Sequence, residues 1–192
     1  MRLKQLFFFL LFSFYSFGQS EFHIDNHKNK VVIPFKFINN LIFIPVSVNG
    51  EELTFLLDTG VEQTILFSLD EKEEVKLFEV EKLKLRGLGS NEPIDSYKSS
   101  KNKLKIKGLV DDNHEIYIIL DQEFNFSSQV GIPVNGIIGY NFFKNHIVEI
   151  DYERKRLFVY SHDYKKIKSK LQKRYDIIPI TIEEYKPYYV SN

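Results

Sequence analysis

From Val31 onward the sequence is a succession of short apolar runs separated by turn residues, and this pattern limits the fold more than any other feature. The segments Val31–Asn39, Leu41–Val48, Leu53–Leu57, Lys82–Leu88, Lys103–Leu109, Glu115–Leu120, Ile147–Tyr152 and Arg156–Tyr160 are rich in Ile, Val, Phe and Tyr. Their partial alternation is that of half-buried strands. In VSVNGEELTF the pair Asn49-Gly50 can take the positive φ angles of a two-residue turn, which predicts a hairpin. The ERK segment of IVEIDYERKRLFVY predicts a second hairpin with a longer loop. Helix is scarce: a short one is expected over YNFFKN after Gly139, and another over Asp163–Lys173. The fold class read from this pattern is all-β with one core.

Composition narrows the function. The 26 Lys and Arg are matched by 26 Asp and Glu and interspersed with them, so no field exists to hold nucleic acid or an anionic membrane. The basic run DYKKIKSKLQKRY reads as a solvated helix face. With no cysteine, a disulfide framework, cysteine catalysis, thiolate zinc sites and lipid attachment to cysteine are all excluded. His23 and His27 lie four apart without a third ligand nearby and read as exposed histidines, and no metal or other cofactor is expected. His114, His146 and His162 are isolated in the sequence.

The first residues, MRLKQLFFFLLFSFYSFGQS, run from a positive start through a short apolar stretch to small and polar residues. That order is a secretory signal peptide cut near Gly18 to Ser20. Its apolar run is shorter than the roughly 20 residues that span a bilayer, so no stable membrane span is expected after cleavage. Export to the periplasm or outside the cell follows. The domain reading is a signal peptide over 1–20, a polar tether over 21–30, the main domain over 31–162 and a C-terminal segment over 163–192. That last segment resumes a strand pattern in DIIPITIEEYKPYYVSN with no obvious partner, either returning to the first sheet or beginning another lobe or domain.

Chemistry concentrates in FLLDTGVEQTILF. Phe55, Leu56 and Leu57 deliver Asp58 to a strand end, where Gly60 permits a sharp turn. A carboxylate there requires hydrogen bonds, which the turn's backbone N–H groups and the Thr59 hydroxyl can supply. Taken as a bare tripeptide, Asp-Thr-Gly also fits an ordinary Asx-turn.

The surroundings of that tripeptide resemble the retropepsin-like aspartic proteases. In that family an apolar strand, Asp-Thr-Gly, a small residue, a polar pair and Thr-apolar-Leu form one signature. It is matched by Leu56, Leu57, Asp58, Thr59, Gly60, Thr64, Ile65 and Leu66. A second signature, two apolar residues and a glycine opening a short helix, is carried by Ile137, Ile138, Gly139 and Asn141 in NGIIGYNFFKN. Between them KLRGLGS falls where the family places its flap. The likeness spans about Val31 to Tyr160 and is nearest to the exported bacterial branch.

The resemblance implies a closed acid-protease β-barrel with one short helix, whose Asp-Thr-Gly loop meets a second copy across a two-fold axis. Asp58 would be the acid-base residue, Thr59 would tie the paired loops together, and Gly60 would permit their approach. Val61, Glu62 and the flap residues Gly87, Leu88 and Gly89 would bind substrate, a peptide or unfolded protein. Thr64, Ile138, Gly139 and Asn141 would support the site. Two carboxylates about 3 Å apart cannot both ionise, so one acts as base on a water while the other donates to the carbonyl oxygen. The sequence holds one Asp-Thr-Gly, and Asp151 and Asp163 lack the glycine turn, so a homodimer or a second lobe must supply the partner carboxylate. A peptide-binding module with an incomplete site, and one lobe of a longer two-lobe or PDZ-containing protease, are the alternatives. Val61 replaces the family's usual alanine or serine, and Tyr140 stands where viral members carry arginine.

Overall fold

The computed structural model describes residues 21–25, 28–67, 75–85, 93–120, 126–161, 169–170 and 172–189. The signal peptide expected over 1–20, the flap residues Gly87, Leu88 and Gly89, and most of the helix expected over 163–173 lie outside them.

The described chain is mostly β. In order it forms β1 (His23–Ile24), β2 (Lys30–Pro34), β3 (Lys36–Ile38), β4 (Leu41–Val48), β5 (Glu51–Leu57), β6 (Thr64–Leu66), β7 (Glu81–Leu85), β8 (Ile94–Ile106) and β9 (Leu109–Ile119). Then follow helix α1 (Ser127–Val130), β10 (Gly136–Ile138), a 3-10 turn (Tyr140–Phe142), β11 (His146–Asp151), β12 (Arg156–Ser161), β13 (Thr181–Glu183) and β14 (Lys186–Tyr188).

The main sheet runs β1-β9-β6-β10-β5-β4-β8-β7, with β3 beside β4, and β8 pairs with β9 as well as with β4. A second sheet, β11-β12-β2, packs against the same core through Ile33, Leu157 and Val159. Phe55, Ile44, Leu104, Ile116, Ile138 and Phe142 are fully buried in that cluster. Truncating any one of these large side chains to alanine costs about 3 kcal/mol, the transfer and cavity terms together.

Both expected hairpins form. Asn49 (φ 53°) and Gly50 (φ 108°) join β4 to β5, and the Asn49 side chain pins the turn by accepting from the Lys103 N–H at 2.7 Å. In the β11–β12 hairpin Asp151 pairs with Arg156 in register, and the Asp151 carboxylate accepts from the Arg154 backbone N–H at 2.9 Å and its guanidinium at 3.0 Å. Those bonds hold the Asp151 carboxyl below the usual carboxylate range.

Four expectations are corrected. The run Val31–Asn39 is two strands: the Phe35 N–H still donates to the Lys155 carbonyl at 3.0 Å beside β12, and from Lys36 the chain pairs with β4 instead. The polar stretch before Lys103 belongs to a thirteen-residue strand, β8, which pairs along its length with β9. Residues 21–25 are no loose tether: Phe22 is 3% exposed in the core, and His23–Ile24 pair with β9. Finally, the late strand has a partner of its own, since β13 pairs with β14 through Thr181↔Tyr188.

Candidate active site

The site is built from a hairpin opened by a third strand. β5 and β6 run in opposite directions but do not pair; β10 lies between them, parallel to β5 (Gly136↔Phe55, Ile138↔Leu57) and antiparallel to β6 (Gly136↔Leu66). The loop Asp58–Gln63 therefore arches over the end of β10. Three backbone bonds hold it there: the Asp58 N–H donates to the Ile138 carbonyl at 3.0 Å, the Tyr140 N–H to the Val61 carbonyl at 2.7 Å, and the Asn141 N–H to the Glu62 carbonyl at 3.3 Å. The two signatures, some eighty residues apart in sequence, thus meet in one place.

Asp58 is half-buried at the mouth of this arch. Its Oδ1 accepts the Gly60 N–H at 2.8 Å, the Asx-turn bond that orients the carboxylate. A Cβ on Gly60 would lie 3.1 Å from that same oxygen. Glycine at position 60 therefore keeps room for the carboxylate rather than supplying an unusual backbone angle. Thr59 and Val61 are half-buried beside it.

Gly139 has extended backbone (φ −97°, ψ −161°), and its need is for space. A Cβ there would fall 2.2 Å from the Val61 carbonyl oxygen and 2.7 Å from that of Gln63. Only glycine lets the strand pass so close beneath the loop. Ile138 is fully buried directly before it, and the Asn141 amide donates to Gln63 Oε1 at 3.4 Å. Thr64, at 3% exposure, returns the loop to the sheet. Glu62 stands near Tyr117, whose phenol is raised above its ordinary value by burial first and then by Glu115 and Glu62, against the lowering effect of Lys98.

Of the residues singled out from sequence, Asp58, Thr59, Gly60, Val61, Glu62, Thr64, Ile138, Gly139 and Asn141 come together here. Gly87, Leu88 and Gly89 lie outside the described residues. Two further residues, not singled out by the sequence pattern, support the site. A Cβ at Gly136 would lie 2.2 Å from the Ile65 carbonyl oxygen, so this glycine admits β10 between its neighbours. Asn135 clasps the split strands: its N–H donates to the Thr54 carbonyl at 2.8 Å, its Oδ1 accepts the Thr54 N–H at 2.9 Å, and its carbonyl accepts the Phe67 N–H at 2.9 Å. The signal for both was the Asn-Gly pair opening an apolar run, which reads equally as a turn.

Among the described residues no group of three or more His, Asp or Glu side chains is placed to hold a metal ion, and no helix is long and apolar enough to cross a membrane. The chemistry on offer is that of an oriented carboxylate at the rim of an apolar core.

No curated protein matches the chain in sequence. Among solved structures, a retropepsin-like aspartic protease from Rickettsia conorii is similar at 13% identity and a TM-score of 0.46, covering 73% of this chain and 94% of its own. The family model described as aspartyl protease matches residues 44–142, just over half of the 192 residues and a span that holds both the Asp58 loop and Gly139. The chain belongs to the aspartyl protease family, the aspartic-type peptidases.

Proposed function

We propose that the protein is an exported endopeptidase in which Asp58 of two associated copies forms one acid–base pair acting on extended, unfolded polypeptide. The observation that carries this reading is the oriented half-site: Asp58 Oδ1 held by the Gly60 N–H, on a loop arched over Gly139. In the reaction one carboxylate takes a proton from a water as it attacks the scissile carbonyl, while the other, protonated, donates to the carbonyl oxygen. Collapse of the tetrahedral intermediate then returns a proton to the departing amine. A lone Asp58 is half of this pair.

Several features support the finer parts of the reading. Because β8 pairs with both β4 and β9, the strands β9-β6-β10-β5-β4-β8 read as a closed acid-protease barrel. β7 and β8 pair antiparallel up to Leu85↔Ile94, and Gly87, Leu88 and Gly89, which lie between these two residues in sequence, would act as the flap that excludes water over the substrate. Thr59 would bond across to the partner loop, and Val61 and Glu62 would line the groove. An extended peptide suits such a cleft because its backbone can pair with strand edges.

The second copy is favoured by the apolar surface beyond the main domain. Ile177 is 72% exposed, and Ile178, Ile180, Tyr188 and Tyr189 are exposed with it. The β13–β14 hairpin reaches the edge of the site through its turn, where the Tyr185 ring lies 6.4 Å from that of Tyr140, whose N–H bonds to the Val61 carbonyl. Such patches mark interfaces.

The test is cleavage of a denatured protein over a wide range of enzyme concentration. Activity rising faster than linearly at the low end is the expected result. Strictly proportional activity from a chain that sedimentation shows to be monomeric over the same range would show a site completed within one chain, and none at any concentration would leave a peptide-binding module. Export is tested separately by sequencing the N-terminus of the secreted chain. A start within residues 19–21 is expected, which leaves the buried Phe22 in place, whereas a retained Met1 contradicts it.

A further inference from the structure

Behind the catalytic loop the core contains three polar side chains that the mechanism above does not use. Asp111 and His114 stand on β9 and Thr64 opens β6, with exposures of 2%, 4% and 3%. His114 Nδ1 lies 2.7 Å from Asp111 Oδ2, and His114 Nε2 lies 2.7 Å from Thr64 Oγ1. The ring is fixed from other directions too: Phe22 packs on it at 5.1 Å between centroids, the His114 carbonyl accepts from Asn102 Nδ2 at 3.2 Å, and Asp111 Oδ1 accepts the Asn113 N–H at 3.0 Å.

The order Asp-His-Thr is that of a nucleophilic triad, but a hydroxyl at 3% exposure in mid-sheet reaches no substrate. Stability is a poor reason for it as well, since an apolar trio of similar volume would avoid the desolvation of a buried carboxylate and imidazole. What the arrangement does is hold Thr64. Asp111 and Thr64 each engage one ring nitrogen, and rotation of the ring would break both bonds among groups that are almost wholly buried. Thr64 is the first residue of a three-residue strand and the point where the Asp58 loop re-enters the sheet. The loop's other limb is tied by the Asp58 N–H to Ile138.

We propose that Asp111 and His114 are positioning residues for Asp58, acting through Thr64 to fix the return limb of the catalytic loop. The inference rests on the reading of Asp58 as half of a paired site, where two carboxylates must meet within hydrogen-bond distance and a displacement of about 1 Å can cost on the order of a hundredfold in rate.

The test compares Thr64→Val, which keeps the shape and removes the hydroxyl, with Thr64→Ser, which restores it, both in the full chain. Amide hydrogen exchange is followed at Asp58, Gly60 and Val61, with the amides of β12 as reference. In Thr64→Val, exchange at the three loop amides rises about tenfold over the β12 reference, and Thr64→Ser returns it to within about twofold. On dye-labelled denatured casein, kcat of Thr64→Val falls at least about tenfold with KM changed less than about threefold. Unchanged loop exchange, or an equal rise in β12, overturns the proposal, as does a KM effect without a kcat effect. Should Thr64→Val fail to fold, Thr64→Ala, which also removes the hydroxyl, is read in the same way. Exchange is read without turnover, so a failure of the Asp58 reading, seen as cleavage that survives Asp58→Asn, is distinguishable from failure of this one.

Discussion

Replacing Asp58 with asparagine lowers kcat on an unfolded protein substrate by about a thousandfold or more, while the melting temperature stays within a few degrees of the parent. The two halves of this expectation have separate causes. Asparagine has the shape of aspartate, and its Oδ1 can still accept the Gly60 N–H that orients the side chain at 2.8 Å. The position is half-buried at the mouth of the loop, so the fold loses little. What disappears is the ability to take a proton from water and pass one to the carbonyl oxygen, and in a paired site both copies lose it together. Parallel kinetics and thermal melts check it. Activity retained within tenfold would remove Asp58 from the chemistry.

Gly139→Ala, unlike Asp58→Asn, carries a large loss of stability. The added Cβ would lie 2.2 Å from the Val61 carbonyl oxygen, 2.7 Å from the Gln63 carbonyl oxygen and 2.8 Å from the Glu62 carbonyl carbon. All three are backbone atoms, so no side chain can swing aside. The loop must lift off β10, stretching the bonds from Tyr140 and Asn141 that hold it. Overpacking against backbone costs about 3 kcal/mol, which lowers the melting temperature by roughly 10 °C for a domain of this size. Cleavage falls as well, because the displaced loop carries Asp58. Calorimetry beside the activity assay checks both, and a variant that melts within two degrees of the parent would contradict the close packing of loop on strand.

Where the sequence was legible, local chemistry and burial pointed the same way. Asn49-Gly50 supplies its own turn geometry, β4 and β5 carry clear apolar faces, and Asp58-Thr59-Gly60 terminates its strand by composition alone. The apolar pattern of the sequence breaks the β8–β9 hairpin into shorter segments because its inward positions are partly polar. Ser96, Ser99, Asn102, Asp111 and His114 are buried, and their hydrogen bonds, such as Ser99 Oγ to the Phe78 carbonyl at 2.6 Å, replace the apolar side chains that alternation would have required. Some partners are local, as in Ser99–Asn102 and Asp111–His114, but Phe78, Thr64 and Asn49 lie 21, 50 and 53 residues from theirs, beyond any sequence window.

The insertion of β10 between β5 and β6 was hidden for a related reason. The Asp58 loop and Gly139 were each recognisable, but their contact depends on Gly136 and Asn135 fitting strands that lie about eighty residues earlier. Phe22 misled through its neighbours: a single aromatic in a polar stretch carries no period, yet it fills the space between the rings of His114 and Phe142. The exposed isoleucines after Asp176 follow a strand pattern without a core to receive them, and the second-copy reading gives them one.

The central claim, that one catalytic site uses Asp58 from two chains, is tested most directly by mixing parent protein with Asp58→Asn. Total concentration is held constant in the range where specific activity has levelled off, and the subunits are allowed to exchange. Mixed pairs carry one carboxylate and do not turn over, so activity follows the square of the parent fraction and an equal mixture retains about a quarter of the parent rate. Activity that falls in simple proportion, leaving half the rate in the equal mixture, would show that each chain completes its own site and would contradict the account.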